Sequence, residues 1–426
     1  MKISPKEYPI WHPFSQMKDF NSIPKLIKGQ GSWLWDEEGA AYLDAISSWW
    51  VTAHGHCNPV ISNRIKEQLG ELEHTIFAGF THDPAIELCE RITPHLPESE
   101  WKYFFSDNGS TAVEVALKMA IHFYTQKEKA KKITVFALEG AYHGDTFGAM
   151  SAGERGLFVE PFMDFLFDVV FLPTPTESNK EELFKVFDEN RSQHNVFIFE
   201  PCIQGAAGMV FQDVEVVNEF LAFIKSHQTI VIADEVMTGF GRTGKWFASN
   251  WFNTAPDIIC LSKALTGGFL PMALTVAQQW LYDAFWDDEF TQGFLHGHSF
   301  TGNPIGCAAA LGNMDLMEDK ETWRNIERIT SEHQTQVDRW KNHESFENVR
   351  SMGIVFALEV GNSGRQEYNH HIRKPLFEAF MDARLLIRPL GNTIYLLPPY
   401  CMTNDELELC YTGIQEVVKE VLAETV

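Results

Sequence analysis

The stretch TIVIADEVMTGFGRTG, residues 229–244, joins a run of apolar residues to two carboxylates and a glycine-rich turn. The apolar run is continuous rather than alternating, which is typical of a strand buried on both faces of a parallel sheet. Asp234 and Glu235 end the run, and a carboxylate at such a position is costly without a partner. The stretch predicts a buried strand with chemistry at its carboxyl end, while a helix cap or a structural ion pair would also explain the two carboxylates.

Five further apolar runs of four to six residues have the same character. Longer amphipathic segments, such as residues 111–130 and 214–228, lie between most of them. Strands that alternate with helices predict a doubly wound α/β domain. The five runs are KYFF (102–105), ITVFAL (133–138), VVFLP (169–173), VFIFEP (196–201) and DIICLS (257–262).

The chain of 426 residues is longer than one core usually serves, so we expect two domains. We place the large α/β domain at residues 60–305. Residues 306–426 contain helical stretches and two strand-like pieces, GIVFALEV (353–360) and IRPLGNTIYLLPPY (387–400), the latter around a Gly-Asn turn. They predict a smaller α+β domain, to which the N-terminal segment 1–59 contributes.

Charge and composition exclude several classes of partner. The formal net charge of −24 disfavours a nucleic-acid partner and an anionic membrane surface, because both require a basic face. No apolar run is long enough to span a membrane, and the first residues lack the apolar core of a signal peptide. The seven cysteines are scattered without zinc spacing, which is typical of reduced thiols. We expect a cytoplasmic protein without a metal.

A helix N-terminus follows the KYFF run. In open parallel sheets, ligands bind beyond the carboxyl ends of the strands. Here the sequence continues as SDNGSTAVEVALKM, in which Asn108-Gly109 predicts a tight turn and Thr111 with Glu114 predicts a capping box. The start of such a helix favours an anion such as a phosphate. A plain strand–turn–helix joint is the alternative.

Lysine and aromatic side chains follow two of the other strands. Lys263 comes after DIICLS, 29 positions beyond Asp234, and both point into one crevice if their strands are neighbours. Tyr142 and His143 follow ITVFAL. Together with the helix start, this set suits pyridoxal 5′-phosphate, which needs an amine for its aldehyde and an acid for its ring nitrogen. Taken singly, a surface lysine and core aromatic residues would be ordinary.

The motifs ADEVMTGFGRTG (233–244) and LSKALTGG (261–268) resemble those of the class III aminotransferases, which are fold-type I pyridoxal-phosphate enzymes. That family has a large domain with a mostly parallel seven-stranded sheet flanked by helices, and a smaller α+β domain. Five other segments resemble the members that aminate 8-amino-7-oxononanoate to 7,8-diaminononanoate in biotin biosynthesis, usually with S-adenosyl-L-methionine as donor. They are WHPFSQM (11–17), SSWW (47–50), GFTHDPAIELCERI (79–92), AYHGDTFGAMS (141–151) and IRPLGNTIYLLPPY.

The resemblance implies a role for each matching residue near the cofactor. Lys263 would be the Schiff-base lysine and proton carrier, Asp234 would hold the ring nitrogen, and Tyr142 would pack on the ring. His298 and Ser299 would reach the phosphate of the other subunit's cofactor, which implies a homodimer with active sites at the interface. The implied cofactor-binding set is Gly109, Ser110, Tyr142, His143, Asp234, Lys263, His298 and Ser299.

The resemblance also implies a substrate-binding set. Arg388 would pair with the substrate carboxylate, because its planar fork meets a carboxylate through two hydrogen bonds. Arg242 and Asp145 would shape the two ends of the pocket, with a structural salt bridge as the alternative. A metal site at His296 and His298 is disfavoured. The implied substrate-binding residues are Phe14, Trp49, Tyr142, Asp145, Arg242, Lys263, Gly297 and Arg388.

One position departs from the family. Phe14 stands where the best-known members carry a tyrosine, and a phenylalanine ring cannot donate a hydrogen bond to the substrate. The donor is therefore left open between S-adenosylmethionine and lysine. Three other functions remain as alternatives: a class III enzyme for ornithine derivatives, γ-aminobutyrate or polyamines; a non-catalytic α/β binding protein; and a dinucleotide oxidoreductase, which lacks its G-x-G-x-x-G motif here.

Overall fold

The computed structural model describes residue 6 and residues 8–20, 23–361 and 370–425. Residues 1–5, 7, 21, 22, 362–369 and 426, which fall within the predicted N-terminal and C-terminal segments, lie outside the described residues. Among the helices described, none has both the length and the apolar character that a membrane crossing requires.

The described residues form strands and helices in alternation through the middle of the chain. The strands are β1 (Leu26–Gln30), β2 (Trp33–Asp36), β3 (Ala41–Asp44), β4 (Trp101–Ser106), β5 (Thr134–Leu138), β6 (Val170–Leu172), β7 (Asn195–Phe199), β8 (Ile203–Gln204), β9 (Val210–Phe211), β10 (Ile230–Asp234), β11 (Ile258–Leu261), β12 (Ala273–Gln278), β13 (Phe346–Met352), β14 (Val355–Val360), β15 (Leu385–Leu386) and β16 (Thr393–Leu396). The helices are α1 (Ser47–Trp50), α2 (Pro59–Leu69), α3 (Asp83–Ile92), α4 (Gly109–Gln126), α5 (Phe147–Ser151), α6 (Lys180–Asn190), α7 (Val214–Ser226), α8 (Gln279–Asp283), α9 (Pro304–Met317), α10 (Lys320–Trp340), α11 (Arg373–Asp382) and α12 (Asn404–Thr425).

The central sheet has seven strands in the order β4-β12-β11-β10-β7-β5-β6. Its pairs from β11 to β6 are parallel, whereas β12 runs antiparallel to both β11 and β4. Both faces are covered, so alternate residues of one strand enter two separate cores: Val196 and Ile198 pack with α4, and Phe197 and Phe199 pack on the opposite face. This confirms the predicted α/β sheet and its six strands. The run ALTVAQ of β12 was not among the predicted strands.

The strands β10 and β11 are direct neighbours. Asp234 is paired with Cys260 in parallel register, which confirms the adjacency on which the shared crevice depends. The two strands end at the same edge of the sheet, so the residues that follow them meet there.

The N-cap of helix α4 lies three residues before the predicted cap, Thr111. Asn108 is the N-cap: its side chain accepts a hydrogen bond from Thr111 N–H at 3.0 Å, and Thr111 Oγ1 accepts one from Asn108 N–H at 3.2 Å. The predicted pairing of Thr111 with Glu114 is therefore wrong. Glu114 instead accepts hydrogen bonds from Gly148 and Ala149 at the start of α5. Asn108 takes the capping position because its short side chain reaches the N3 amide.

Two smaller sheets form around the chain ends. One has the order β1-β2-β3-β15, so Leu385–Leu386 pairs with an N-terminal strand, and the other has the order β13-β14-β16. The predicted Gly-Asn turn lies at Gly391, whose φ is 62°, and Leu390 is bridged to Thr393 across it. Only β16 lies within IRPLGNTIYLLPPY, since β15 ends just before it, and these two strands belong to different sheets. The domain boundaries at residues 60 and 306 stay a prediction.

Candidate active site

A cavity of about 700 Å³ lies beyond the carboxyl ends of the central strands. Six of the predicted residues are in its wall: Phe14, Trp49, Tyr142, Asp145, Lys263 and Arg388. The wall also contains residues that were not predicted as site residues, and these are Trp50, Gly140, Ala141, Gly144, Met150, Gly153, Glu154, Arg155, Gly156, Leu157, Phe158, Val159, Ala206, Ala207, Gly208, Leu390 and Tyr395.

Lys263 enters the cavity because the chain turns sharply after β11. A short 3₁₀ helix, Lys263–Thr266, follows the strand and ends in Gly267, with a φ of 60°. Gly268 has a φ of 87°, and a Cβ there would lie 2.9 Å from the Cα of Thr52. Only glycine combines that backbone conformation with so close an approach. The glycine pair therefore lets this turn pack directly against the chain that follows the two tryptophans.

Burial makes the Lys263 amine easier to deprotonate. The residue keeps some access to solvent through the cavity, but protein encloses it, and this burial lowers the pKa of its amine to about 8. Asp234 and Glu200 oppose the shift, and the cationic Arg242 adds to it. A neutral amine is the form that attacks an aldehyde or accepts a proton. With a pKa of about 8, the neutral form is far more populated near neutral pH than it is for a lysine with the ordinary pKa of 10.5.

Asp234 lies in a buried polar cluster at the strand ends. Its carboxylate is 2.7 Å from His143 Nδ1 and accepts a hydrogen bond from Val236 N–H at 3.1 Å. Both Asp234 and His143 are buried, and Nε2 of His143 has no partner among the described residues. The imidazole fixes the direction of the carboxylate. A charged carboxylate held in this way can stabilise a protonated ring nitrogen beside it.

Glu235, the neighbour of Asp234, has a structural role. Its carboxylate accepts hydrogen bonds from the N–H groups of Ala248 at 2.6 Å and Ser249 at 2.7 Å. These amides open a short 3₁₀ helix, Ala248–Trp251. The alternative of a helix cap, raised for both carboxylates, therefore applies to Glu235 alone.

Glu200 is a further buried carboxylate at the end of β7. It accepts hydrogen bonds from Tyr142 N–H at 3.1 Å and Gly205 N–H at 2.8 Å. Burial raises the pKa of Glu200 to about 7; His143 lowers it and Asp234 raises it further. Since β7 pairs with both β5 and β10, Glu200 lies between the strand that leads to Tyr142 and the strand that carries Asp234.

The raised pKa of Glu200 predicts a pH-dependent stability. The folded protein holds this proton more tightly than the unfolded chain, whose carboxyl has a pKa near 4.5. Stability therefore falls as pH rises from about 4.5 to 7. Relative to Glu200→Gln, the wild type is expected to lose up to about 3 kcal/mol of unfolding free energy over that interval. Urea unfolding at pH 5 and pH 7.5 measures the difference, and an equal gap at both pH values would contradict the assignment.

The first turn of α4 forms a cradle for an anion. Gly109 and Ser110 are its first two residues, and the N–H groups of a first helical turn have no partner within the helix. Gly144, with a φ of 126°, lets the loop after β5 pass so close that Asp145 N–H donates to Ser110 Oγ at 3.2 Å. A Cβ on Gly144 would collide with Ser110 Oγ. The loop and the helix start thus face one space.

Tyr142 links the cradle to the cavity. Its hydroxyl donates a hydrogen bond to Asp145 Oδ2 at 2.8 Å, and burial followed by Asp145 raises the pKa of the phenol. The side chain is half-buried, so its ring remains available to the cavity. Asp145 is exposed and forms no ion pair with a described residue. Among the described residues, Asp145 therefore does not form the structural salt bridge that was the alternative to a role in the pocket.

Aromatic side chains and one arginine form the far end of the cavity. The Arg388 guanidinium lies 4.8 Å from the centroid of the Trp49 ring and donates a hydrogen bond to Phe14 O at 3.1 Å. The Phe14 ring meets the edges of Trp49 and Phe158 at 5.5 and 5.4 Å between centroids. No described carboxylate pairs with Arg388. Its guanidinium can therefore receive an anionic ligand.

Arg242 lies behind the cavity rather than in its wall. It is fully buried and donates hydrogen bonds to Ser47 Oγ at 3.3 Å, Pro398 O at 3.3 Å and Trp50 O at 3.1 Å. It forms no ion pair with any carboxylate in the described part of the chain. Its hydrogen bonds go to backbone and hydroxyl oxygens, its guanidinium also lies 5.2 Å from the centroid of the Tyr400 ring, and it does not line the cavity.

The segment that Arg242 contacts is a left-handed helical turn. All four residues of Ser47–Trp50 have positive φ, between 44° and 74°. This conformation costs about 1–2 kcal/mol per residue for L-amino acids. Buried Asp44 holds it from the other side, accepting hydrogen bonds from Ser48 N–H at 2.9 Å and Ser48 Oγ at 2.7 Å. Strain that persists under such restraint is typical of functional sites.

The predicted interface residues lie on a separate loop. Gly297 and Ser299 are exposed, and none of Gly297, His298 and Ser299 lines the cavity of its own chain. His298 Nδ1 accepts a hydrogen bond from Phe300 N–H at 3.2 Å, and its Nε2 has no partner among the described residues. The described residues hold no group of three or more potential metal ligands.

The family model for class III aminotransferases matches residues 17–418. The chain belongs to the class III aminotransferases. It is 42% identical to a protein of Synechococcus elongatus named adenosylmethionine-8-amino-7-oxononanoate aminotransferase, over 97% of this chain and 99% of that one. The Geobacter sulfurreducens protein of the same name is 35% identical over 97% of this chain and 96% of its own length.

Solved structures of the family agree with the fold. The Methanocaldococcus jannaschii protein of that name has a TM-score of 0.88 at 32% identity, covering 98% of this chain and 97% of the other. An amine transaminase from an uncultivated Pseudomonas species, described in its PLP-bound form, has a TM-score of 0.89 at 26% identity, covering 97% and 99%. These matches confirm the fold-type I architecture. Family membership also disfavours a non-catalytic binding protein and a dinucleotide oxidoreductase.

The described residues of this class III aminotransferase fit pyridoxal phosphate. A lysine amine of lowered pKa, a buried carboxylate oriented by a histidine, and a helix start with open N–H groups lie around one edge of the sheet. They match, in order, the aldehyde, the ring nitrogen and the phosphate of the cofactor.

Several residues in and around the cavity were not predicted from the sequence. Glu200 was visible in VFIFEP as a second carboxylate after a strand, the same signal that identified Asp234. Trp50 was visible in SSWW. Leu157 and Phe158 follow no strand and match no pattern, so only the folded chain brings them to the cavity.

Proposed function

We propose that this class III aminotransferase transfers an amino group to 8-amino-7-oxononanoate, giving 7,8-diaminononanoate for biotin biosynthesis, with pyridoxal 5′-phosphate as cofactor. The observation that carries the proposal is the position of Arg388 on Trp49 in the same cavity as Lys263. The names of the relatives support this acceptor and do not favour ornithine derivatives, γ-aminobutyrate or polyamines.

The bound cofactor would supply an electron sink for the carbanion that forms when the substrate loses a proton. Lys263 Nζ would take that proton from the α-carbon of the donor and deliver it to a cofactor carbon within the same half-reaction, and the acceptor half-reaction would run this transfer in reverse. Asp234, oriented by His143, would keep the ring nitrogen protonated. Gly109 and Ser110 would hold the phosphate through the first-turn amides of α4, and Tyr142 would lie beside the ring.

The acceptor would be held in the cavity at two points, its carboxylate and its ketone. Arg388 would bind its carboxylate with a fork of N–H groups, and the rings of Trp49, Phe14 and Phe158 would line its alkyl chain. Its ketone would then face Lys263. Asp145 would lie at the opposite end, and Arg242 would act through the segment behind the wall.

Replacing Arg388 is expected to weaken acceptor binding. Arg388→Leu removes charge-assisted hydrogen bonds to a partly desolvated carboxylate, so kcat/KM for 8-amino-7-oxononanoate should fall about 10–100-fold, mainly through KM. Arg388→Lys keeps the positive charge but not the planar fork of N–H groups, so its kcat/KM should lie between those of the wild type and Arg388→Leu. The donor half-reaction, read from the cofactor absorbance, serves as the control. An unchanged KM in Arg388→Leu would contradict this binding mode.

The donor is proposed to be S-adenosyl-L-methionine, with lysine as the alternative. Each donor is offered separately with 8-amino-7-oxononanoate, and 7,8-diaminononanoate is measured by mass. Phe14→Tyr is the matched variant, because it restores the phenol that Phe14 lacks. Formation of product with S-adenosylmethionine supports the proposal, product with lysine alone moves the assignment to that donor, and no product with either contradicts the acceptor.

We also propose a cytoplasmic homodimer. In support, Gly297, His298 and Ser299 lie on a loop away from their own cavity, beside the strongly exposed Phe300, whose relative accessibility is 65%. All seven cysteines are free, which suits a reducing compartment. Light scattering of the purified protein measures its mass, and a monomer that is fully active would contradict the shared site.

A further inference from the structure

Lys263 and Trp50 form a direct contact at the bottom of the cavity. Lys263 Nζ lies 4.4 Å from the centroid of the Trp50 ring. No described group is hydrogen-bonded to Nζ. Among the described residues, the amine therefore makes its electrostatic contact with the indole face of Trp50, because an aromatic face attracts a cation.

Three contacts, two to the ring and one to the backbone, hold Trp50 in place. Its Nε1–H donates a hydrogen bond to Tyr395 Oη at 3.0 Å, and its backbone carbonyl accepts one from Arg242 at 3.1 Å. Its ring packs so closely on Gly205 that a Cβ there would lie 3.2 Å from two ring atoms. Trp50 is buried although its φ is 74°. The strained turn thus holds the Trp50 ring in a single orientation over the Lys263 amine.

We propose that Trp50 is a positioning residue for Lys263: its indole face holds the lysine amine in place whenever that amine is not bonded to the cofactor. In those intervals the amine carries a proton between two carbon atoms, and a free four-carbon side chain would otherwise sample many rotamers. Arg242 and Asp44 act through the same turn, by keeping Trp50 in its left-handed conformation. The neighbouring Trp49 has a different task, because its ring contacts Arg388.

The inference is tested on the full-length holoenzyme in its amine-cofactor form, with lysine labelled with ¹³C at the ε-carbon. The Lys263 resonance is identified by its absence in Lys263→Ala. Because the ε-carbon of Lys263 lies near an indole face, its resonance is expected upfield of that of an ordinary lysine. Trp50→Leu should abolish that shift, and Trp50→Phe should keep part of it. Tyr395→Phe, which frees the indole without removing it, should broaden or move the resonance.

A kinetic measurement accompanies the spectrum and rests on the proposed transamination. With a donor deuterated at its α-carbon, Trp50→Leu should slow the donor half-reaction about tenfold and increase the primary isotope effect, because proton transfer then limits the rate. Trp50→Phe should restore most of the rate.

Trp49→Leu is the matched control, since it removes the adjacent tryptophan of the same turn. It should affect acceptor KM and leave the Lys263 resonance where it is. If Trp50→Leu remains folded and neither the resonance nor the isotope effect changes, Trp50 only fills space and the inference is overturned. If the donor assignment itself fails, the resonance still decides, because it needs no turnover.

Discussion

Lys263→Ala is expected to lower the rate of transamination by about 10⁴-fold or more, while the protein stays folded. The variant loses both the amine that bonds to the cofactor and the group that carries the proton, and each contributes several orders of magnitude. Folding should survive because Lys263 forms no ion pair with a described residue. Initial rates measure the loss, and thermal unfolding confirms the fold.

Two controls sharpen this result. Added primary amines should recover part of the proton-transfer rate in Lys263→Ala, since a small amine can enter the cavity in place of the side chain. Borohydride should attach the cofactor covalently to the wild type but not to the variant. A variant with a normal rate would remove Lys263 from the mechanism.

Asp234→Asn is expected to lower kcat about 10²–10³-fold with a smaller effect on cofactor affinity. The amide preserves the shape and one hydrogen bond to His143, but it cannot stabilise a positive charge on the ring nitrogen. The loss should appear in both half-reactions, because both pass through the same carbanion.

Glu235→Gln is the matched control for Asp234→Asn. It changes the adjacent carboxylate, which caps Ala248 and Ser249, and should therefore reduce stability more than kcat. A kcat for Asp234→Asn within a few-fold of the wild type would contradict the assigned role. The comparison separates loss of charge at the cofactor from general disturbance of the strand end.

The sequence predicted the central sheet well because its strands are buried on both faces. Runs such as VFIFEP and TIVIADE cannot be amphipathic helices, so their type and approximate position followed directly. The strand β12 was missed because ALTVAQ is less distinctive and follows a turn. The short strands around the chain ends depend on pairing between residues far apart in the sequence, such as Leu385 with Leu43, and local pattern does not report that.

The site was predictable in its chemistry and less so in its geometry. Lysine and carboxylates at strand ends are visible in the sequence, whereas the contact of Lys263 with Trp50 depends on a backbone conformation that no propensity favours. The position of Arg242 was equally hidden: its motif identified the residue, but only the folded chain places it behind the tryptophans. Likewise, several polar side chains near the start of α4 are suitable caps, and only the folded chain shows that Asn108 is the one that caps it.

The antiparallel strand β12 sets the distance between the phosphate cradle and Lys263. It separates β4, which leads to the phosphate cradle, from β11, which leads to Lys263, and both of these strands point the same way. Two strand spacings place the anion-binding end and the amine-bearing end roughly 10 Å apart. Because β12 runs the other way, its first residue, Ala273, lies at this edge beside Ser106, and the segment that leaves the strand emerges at the opposite edge. The sheet order thus fixes the length of the molecule that can bridge the two ends, before any side chain contacts it.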